Sequence, residues 1–285
     1  MADDQDGGGG SREVVLYGVP LTIDTARQAW WDRAIAGIWE PATFTTLTAF
    51  LDGSGVYVDV GAWVGATVLY GAHRADRVVT FEPDPAALTV LSRNLALNPD
   101  LAARVELKNA ALGDRTGRAS LYNRHPGNSG SSLHSWFGRA DEPLQPAFAE
   151  VDVVDGLDFL EGIGPEGLRL MKVDIEGGEY ELIPYIGPFL QRHRPTLHLS
   201  FHPFHVGGSG SPERDHLERL FRTCAVLDVL KTYRHVYVPE ATGLIRRRPE
   251  VVMQRRLQTQ DGVHGPLIFT DEDKGPFIPH TLPEG

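Results

Sequence analysis

Val56-Tyr-Val-Asp-Val-Gly-Ala-Trp-Val-Gly65 decides how the rest of the chain is read. Val56 to Val60 is a short apolar run bounded by glycines, which predicts a buried strand. Gly61-Ala62-Trp63-Val64-Gly65 follows it. Glycines let a backbone turn tightly and approach a ligand with no Cβ in the way. Residues 65 to 73 read as a helix and Arg77 to Phe81 as a second strand. Glu82 and Pro83 close that strand, about 20 residues after the glycine turn. In a parallel α/β sheet an acid at that place accepts hydrogen bonds from ribose hydroxyls.

The same rhythm continues outward. Pro85 to Leu97 reads as a helix with Leu88, Leu91 and Leu95 on one face. Val105 to Leu107, Leu168 to Val173 and Thr196 to Phe201 read as further strands. Repeated strand–helix units predict an α/β fold with a mostly parallel, Rossmann-like sheet and helices on both faces. Upstream, Val14 to Tyr17, a Gly-Val-Pro turn and Leu21 to Ile23 predict a hairpin. Ala26, Trp30, Ala34 and Ile38 predict a helix over 25–39, and Pro41 begins another that ends near Leu51. Downstream, a helix is expected near 213–223, with strands at 225–230 and 234–238. The expected organisation is a disordered, glycine-rich tail over 1–11 and a single domain over 12–285. That domain divides into an extension (12–52), a core (53–240) with an insertion (113–150), and a C-terminal tail (241–285).

The chain has 285 residues, 41% hydrophobic and 23% charged, with a formal net charge of −11. These values fit an ordinary globular protein. The acidic balance repels phosphate backbones, so no nucleic-acid partner is expected. Arg246-Arg-Arg248 with Arg255-Arg256 is a local exception that reads as a solvated surface. Cys224 is the single cysteine, so no intramolecular disulfide can form and a cytoplasmic location is expected. No apolar run reaches the roughly 20 residues that span a bilayer, so no membrane partner is expected. A homo-oligomer is left open.

The ligand class follows from two residues. Trp63 stands where a dinucleotide fingerprint needs its second glycine, which disfavours a pyrophosphate. Asp59, at the strand–turn junction, would repel a pyrophosphate and suits an ammonium. Asp59-Val-Gly-Ala-x-x-Gly65, Phe81-Glu82-Pro83, Asn109-Ala110-Ala111-Leu-Gly113 and Lys172-Val-Asp-Ile-Glu-Gly-Gly-Glu179 then occur in that order. This set resembles the FkbM family of S-adenosylmethionine-dependent methyltransferases over about residues 38–205, and Trp39-Glu40-Pro41 is similar to the family's upstream segment. The resemblance implies a class I methyltransferase sheet, S-adenosyl-L-methionine as cofactor, and O-methylation of a sugar or a natural-product hydroxyl. The acceptor it implies is a small glycoside or polyketide-like molecule. It implies that Asp59, Gly61, Ala62 and Gly65 flank the methionine part, with Glu40 and Asp174 nearby. Glu82 and Pro83 would meet the ribose, and Asn109, Ala110 and Ala111 the adenine.

Methyl transfer to a hydroxyl needs a general base, a metal ion, or both. Asp174 closes the strand of Lys172, and His202 follows the strand of His198. Period-two alternation puts His198 and His202 on one face, with His205 beyond in the turn. Three readings stand. His202 is the base and Asp174 orients it; or Asp174, Glu176 and His202, with Glu179 as a further donor, hold a divalent cation such as magnesium; or the histidines cap the strand and the acids pair with Lys172 or arginines. Lys172 belongs either to the chemistry or to an ion pair at the strand end. The family's strand ends on a Glu-x-His pattern, whereas Ser200 stands here where the acid would be. His202-Pro203 still matches. Asn128-Ser-Gly-Ser-Ser132 with His125 and His134 reads as a lid or a solvated turn, and Trp136 and Phe137 as cover for an acceptor ring or loop packing. N-methylation, a non-catalytic cofactor-binding protein and a nicotinamide oxidoreductase are the competing functions. The absence of an Asn/Asp-Pro-Pro-Tyr motif, the presence of Asp174, Glu176 and His202, and Trp63 count against them in that order.

Overall fold

Ser11–Leu16 (β1) pairs antiparallel with Val19–Asp24 (β2). Tyr17 and Gly18 make the turn, both with positive φ (49° and 80°), as a tight two-residue hairpin turn requires. The hairpin is tighter than the expected Gly-Val-Pro turn, because Val19 and Pro20 already belong to β2. The computed structural model describes residues 9–123, 125–135, 146–164, 167–249, 251–252 and 265–280. Residues 1–8 of the expected tail, Trp136, Phe137, Arg255 and Arg256 lie outside them.

Gln28–Ile35 (α1) is shorter than the helix expected over 25–39. Gly37 turns the chain with φ of 68°, and Ile38 ends up exposed. Trp31 and Ala34 are the buried residues of α1. Pro41–Phe50 (α2) follows, with Pro41 at its first turn, where the missing N–H costs nothing.

The strand–helix rhythm then runs as the sequence predicts through Val56–Val60 (β3), Ala66–Arg74 (α3), Arg77–Phe81 (β4) and Pro85–Ala96 (α4), adds an unexpected short helix at Pro99–Ala102 (α5), and resumes as expected with Val105–Lys108 (β5). The insertion folds as a small separate sheet of Ala111–Gly113 (β6), Gly117–Tyr122 (β7) and Ala147–Asp155 (β8), in the order β6-β8-β7. Gly156–Ile163 (α6), Leu168–Val173 (β9), Glu179–Tyr185 (α7), Gly187–His193 (α8) and Thr196–Phe201 (β10) return to the main rhythm.

Pro212–Leu230 (α9) corrects the next expectation. Residues 225–230 read as a strand because they are apolar and rich in valine. They continue the helix instead, since Thr223, Val226, Leu227 and Leu230 fall on one helical face and are buried together. His235–Glu240 (β11) matches the strand expected at 234–238. Residues 241–285, expected as a tail, supply Gly243–Arg247 (β12), Gly265–Thr270 (β13) and Phe277–Pro279 (β14) to the main sheet.

That sheet has the order β14-β12-β11-β13-β10-β9-β3-β4-β5. From β10 to β5 every pairing is parallel. β13 and β12 run against that set, so β11 and β14, each antiparallel to its neighbours, run with it. Most strands therefore share one direction, and their C-terminal ends gather along one edge.

Alternation along the strands gives the two faces different characters. Val58, Val60, Met171, Val173, Leu197, Leu199 and Phe201 pack against α7, α8 and α9 in a purely apolar layer. The opposite face carries Tyr57 and Leu170, but also buried Asp59, Thr80, Lys172, His198 and Ser200. The hairpin, α1, α2 and α3 cover it. His198 sits beneath α2, 3.2 Å from Thr46 Oγ1 and 3.4 Å from Thr43 Oγ1. It does not reach His202. Arg246 and Arg247, two of the five arginines of the cluster, pair with Asp273 and Glu240. Among the described residues no helix is long and apolar enough to cross a membrane.

Burial pushes the His198 imidazole down to about 3, helped by the Lys172 charge. A folded-state value below the unfolded one stabilises the fold above the ordinary value of about 6.5, and that stability drains away as pH falls. Denaturant unfolding between pH 6.5 and 4.5 should therefore lose about 1.4 kcal/mol per pH unit from this group. His198→Gln should show a slope shallower by about that amount; equal slopes would contradict the neutral buried imidazole.

Candidate functional site

Gly61 lies at the C-terminal end of β3 with φ of 91°. A Cβ at this position would overlap the carbonyl oxygen of Asp174, so only glycine lets the turn pass over the end of β9. Gly65 also has positive φ (93°) and begins α3, packed against Leu91. Between them the Trp63 N–H donates to Glu82 Oε2 at 2.7 Å, and the Asp84 N–H donates to Glu82 Oε1 at 2.8 Å. The carboxylate thus ties the glycine turn to the end of β4. Burial pushes Glu82 up to about 8, against the pull of those two N–H groups.

Two cavities meet at Gly61. The first, about 240 Å³, is lined by Gly61, Glu82, Pro83, Ala111, Leu112 and Asp174, among others. The second, about 320 Å³, is lined by Glu40, Ala62, Lys172, Asp174, Glu176 and His202, with Trp30, Trp39 and Trp63 forming an aromatic wall. Gly61, Trp63, Ser129 and Asp174 belong to both. Asn109 and Ala110, expected beside them, precede Ala111 in the turn after β5 and do not line either cavity; Leu112 and Asp114 do.

The insertion roofs the first cavity. Asp84 Oδ2 accepts from the Gly127 N–H (2.8 Å) and the Ser131 hydroxyl (2.6 Å). Trp63 Nε1 and Arg27 donate to the Gly127 carbonyl. On the far side the Ser132 hydroxyl donates to the Glu176 carbonyl at 2.5 Å, and His134 Nε2 lies 3.2 Å from Glu181. Asn128, Ser129 and Ser131 line the cavity beneath this strap, so the described part of the loop packs over the cavity by hydrogen bonds at both ends.

Asp59 differs from its expected role. Its side chain is fully buried, Oδ1 receives Lys172 Nζ at 3.2 Å, and Oδ2 accepts from the Thr67 hydroxyl at 2.6 Å. Asp59 is wholly buried and lines neither cavity, which sets it apart from a ligand ammonium. Lys172 Nζ also donates to the Gly61 carbonyl (3.1 Å) and stands 3.7 Å from Asp174 Oδ2. Burial works to lower its pKa, and Asp59, Asp174 and Glu40 more than reverse that, so it stays above its ordinary value. Lys172 is a charged anchor, not a free acid or base.

Glu40 supplies the carboxylate that faces the second cavity. It holds a left-handed backbone (φ 43°, ψ 50°) just before α2, and accepts from the Thr43 hydroxyl at 2.9 Å. Burial and the Asp174 charge push it up to about 7. Trp39-Glu40-Pro41 was the sequence signal; nothing in it predicted that α2 would bring Glu40 over the ends of β9 and β10.

Asp174, Glu176 and His202 converge as expected. His202 Nε2 lies 3.3 Å from Asp174 Oδ1 and 3.7 Å from Glu176 Oε1. Glu179 joins from behind, not as a fourth converging group. Fully buried, it accepts from the His202 backbone N–H at 2.6 Å and lies 3.3 Å from His202 Nδ1. Its other oxygen accepts from the Gly177 N–H at 2.8 Å. Burial pulls the His202 pKa down, but Glu179, Glu176 and Asp174 outweigh it and push it up to about 10. Burial likewise works to raise Asp174, and Lys172 and His202 hold it below its ordinary value. At neutral pH the ligand-free pair is an imidazolium beside a carboxylate.

The Methyltransferase FkbM domain matches residues 59–230, from Asp59 in β3 to the end of α9. The chain belongs to the FkbM methyltransferase family. One relative, Methyltransferase sdnD of Sordaria araneosa, is 32% identical over 151 residues, 44% of this chain and 58% of that protein. A solved Methyltransferase FkbM from Methylobacillus flagellatus KT is 20% identical with a TM-score of 0.44, over 79% of this chain and 47% of the other. Precorrin-6y C5,15-methyltransferase from Geobacter metallireducens GS-15 is 16% identical with a TM-score of 0.37, over 80% and 85%. This chain thus spans about half the length of the first two relatives. Both TM-scores lie below 0.5, and the fold stands on the strand order described above. The FkbM match begins after Glu40 and ends before β11, so α2 and the last strands lie outside the matched residues.

Gly61→Ala should destabilise the fold by on the order of 3 kcal/mol, from the positive φ and the overlap with Asp174. Gly53→Ala is the control, because Gly53 has a similar φ (94°) with open space around it. Its loss should be on the order of 1 kcal/mol. Equal losses in urea unfolding would show that the close approach at Gly61 carries no cost.

Proposed function

We propose that this FkbM-family chain is an S-adenosylmethionine-dependent O-methyltransferase acting on a hydroxyl of a sugar or secondary metabolite. The observation that carries the reading is the sharing of Asp174 and Gly61 by two cavities at one sheet edge. A methyl donor and an acceptor need adjoining sites with the reacting atoms at the junction. The adenosine part suits the first cavity, with Glu82 and Pro83 toward the ribose and Ala111 and Leu112 against the adenine. The methionine part would pass Gly61 and Ala62. Glu40 is the carboxylate free to meet its ammonium, since Asp59 is committed to Lys172 and Thr67. The acceptor would enter the second cavity, where indole faces suit the apolar side of a ring and Glu176, Asp174 and His202 suit hydroxyls.

In the transfer the acceptor oxygen forms a bond to the methyl carbon as the sulfur–methyl bond breaks. The electron pair stays on sulfur, which becomes a neutral thioether. The hydroxyl proton leaves by way of the Asp174–His202 end of the cavity, either to the Asp174 carboxylate, since the His202 imidazole already holds a proton, or through a cation that the two residues hold. Residues 12–285 act in this reading as one domain, because β12, β13 and β14 complete the sheet that carries Asp174. With Cys224 as its single cysteine the chain suits a reducing cytoplasm.

A radiolabelled methyl-transfer assay over pooled glycoside and polyketide acceptors tests the reading. Asp174→Ala should lower turnover at least 10³-fold, while calorimetry shows S-adenosylmethionine binding retained. Preserved turnover would remove Asp174 from the chemistry, and a wild-type protein that does not bind the cofactor would defeat the reading as a whole.

A further inference from the structure

We propose that Asp174, Glu176 and His202 form a divalent-cation site at the acceptor end of the cavity, held in shape by Glu179, His205 and Lys172. The inference rests on the methyltransferase reading for its purpose, but not for its geometry. One ligand atom from each of Asp174, Glu176 and His202 lies within 4.8 Å of the others. The donor set is mixed, one imidazole nitrogen and two carboxylate oxygens, and it opens onto the second cavity, so solvent or substrate could complete a coordination shell.

What distinguishes the three from a chance cluster is how each is braced from outside. A metal-binding histidine is typically oriented by a carboxylate on its other ring nitrogen. Glu179 does this for His202, at 3.3 Å from Nδ1, and directs Nε2 into the gap between Asp174 and Glu176. Glu176 offers Oε1 to the gap, while His205 Nε2 holds Oε2 at 3.1 Å. Asp174 offers Oδ1, while Lys172 stands 3.7 Å from Oδ2. Each converging residue thus has a second atom fixed by a residue that does not converge. Glu179 is fully buried and commits both oxygens to this task, one to His202 and one to the Gly177 N–H. A hard or borderline ion of the Mn²⁺ or Mg²⁺ kind suits two carboxylates, one imidazole and open positions. An acceptor hydroxyl in an open position would lose its proton more readily, and the proton would pass to solvent.

The experiment uses the full chain after treatment with a chelator, with Mn²⁺ alone as the probe. Electron paramagnetic resonance should report one saturable site per chain. Asp174→Asn and His202→Gln should each weaken binding at least 100-fold. Glu179→Gln, acting only through His202, should weaken it by about 10- to 100-fold with Asp174 and Glu176 intact. Thermal unfolding of each variant checks that it folds. S-adenosylmethionine binding to the same chelated protein is measured in parallel. Cofactor binding without a saturable Mn²⁺ site overturns the cation site and leaves the methyltransferase reading standing. Mn²⁺ binding that survives in both Asp174→Asn and His202→Gln also overturns it.

Discussion

The ion pair between Lys172 and Asp59 is the constraint on which the rest of the site depends. Both side chains are almost wholly removed from water, and the two residues stand side by side in the β3–β9 register. Burying two charges is expensive, and the attraction between them offsets this only when the remaining hydrogen-bonding atoms are also matched. Here they are. Asp59 takes the Thr67 hydroxyl from α3, and Lys172 takes the Gly61 carbonyl and leans on Asp174. One pair therefore fixes the central strand register, the start of α3, the path of the glycine turn and the position of Asp174. An apolar pair of equal volume would pack as well. It would not hold a carbonyl and a carboxylate in place at the strand ends.

The two faces of the sheet divide the work. Val58, Val60, Met171 and Val173 bury an apolar layer against α7 and α9, which supplies the bulk of the burial. Asp59, Lys172, His198 and Ser200 lie on the other face, beneath the threonine-rich α2. Thr43 and Thr46 place hydroxyls around His198, and Thr43 also steadies Glu40. The N-terminal segment is therefore more than an extension. It is the polar wall of the second cavity, and without it the charged face of the sheet would meet water rather than a ligand.

β3, β4, β9 and β10 were legible because each is a short apolar run with glycine or proline close by, and β5 because it continues the same rhythm, whereas β6 and β8 carried no such signal. The convergence of Asp174 with His202 was legible too, since adjacent parallel strands bring their C-terminal ends together. Other features depend on contacts far apart in sequence. Residues 225–230 look like a strand locally, and become helix because α9 can bury Val226 and Leu230 against α7 and α8. β13 reaches its place between β10 and β11 through backbone pairing, which leaves no local signature beyond an apolar run. Asp59 looked like a ligand for an ammonium until Lys172, over a hundred residues away, claimed it. Glu179 looked like one more acid in a run of acids, and only the approach of β10 makes it a brace for His202.

On the proposed O-methylation, the charge around the second cavity calls for a positive partner at the acceptor end. Glu40, Asp174 and Glu176 line it and Glu179 lies behind His202, with Lys172 and His202 as the neighbouring cations. Burial, and after it the Asp174 charge, raises Glu40 to about 7. A cofactor with a sulfonium and an ammonium is welcome in such a field. A hydroxyl that must become anionic is not, because its developing charge meets the same carboxylates at close range in a poorly solvated space. The negative field that draws in the methyl donor therefore opposes the formation of the nucleophile. Something positive has to stand between the acceptor oxygen and Asp174 and Glu176. The imidazolium of His202 already stands there, and a divalent cation on the same atoms would meet the need with twice the charge.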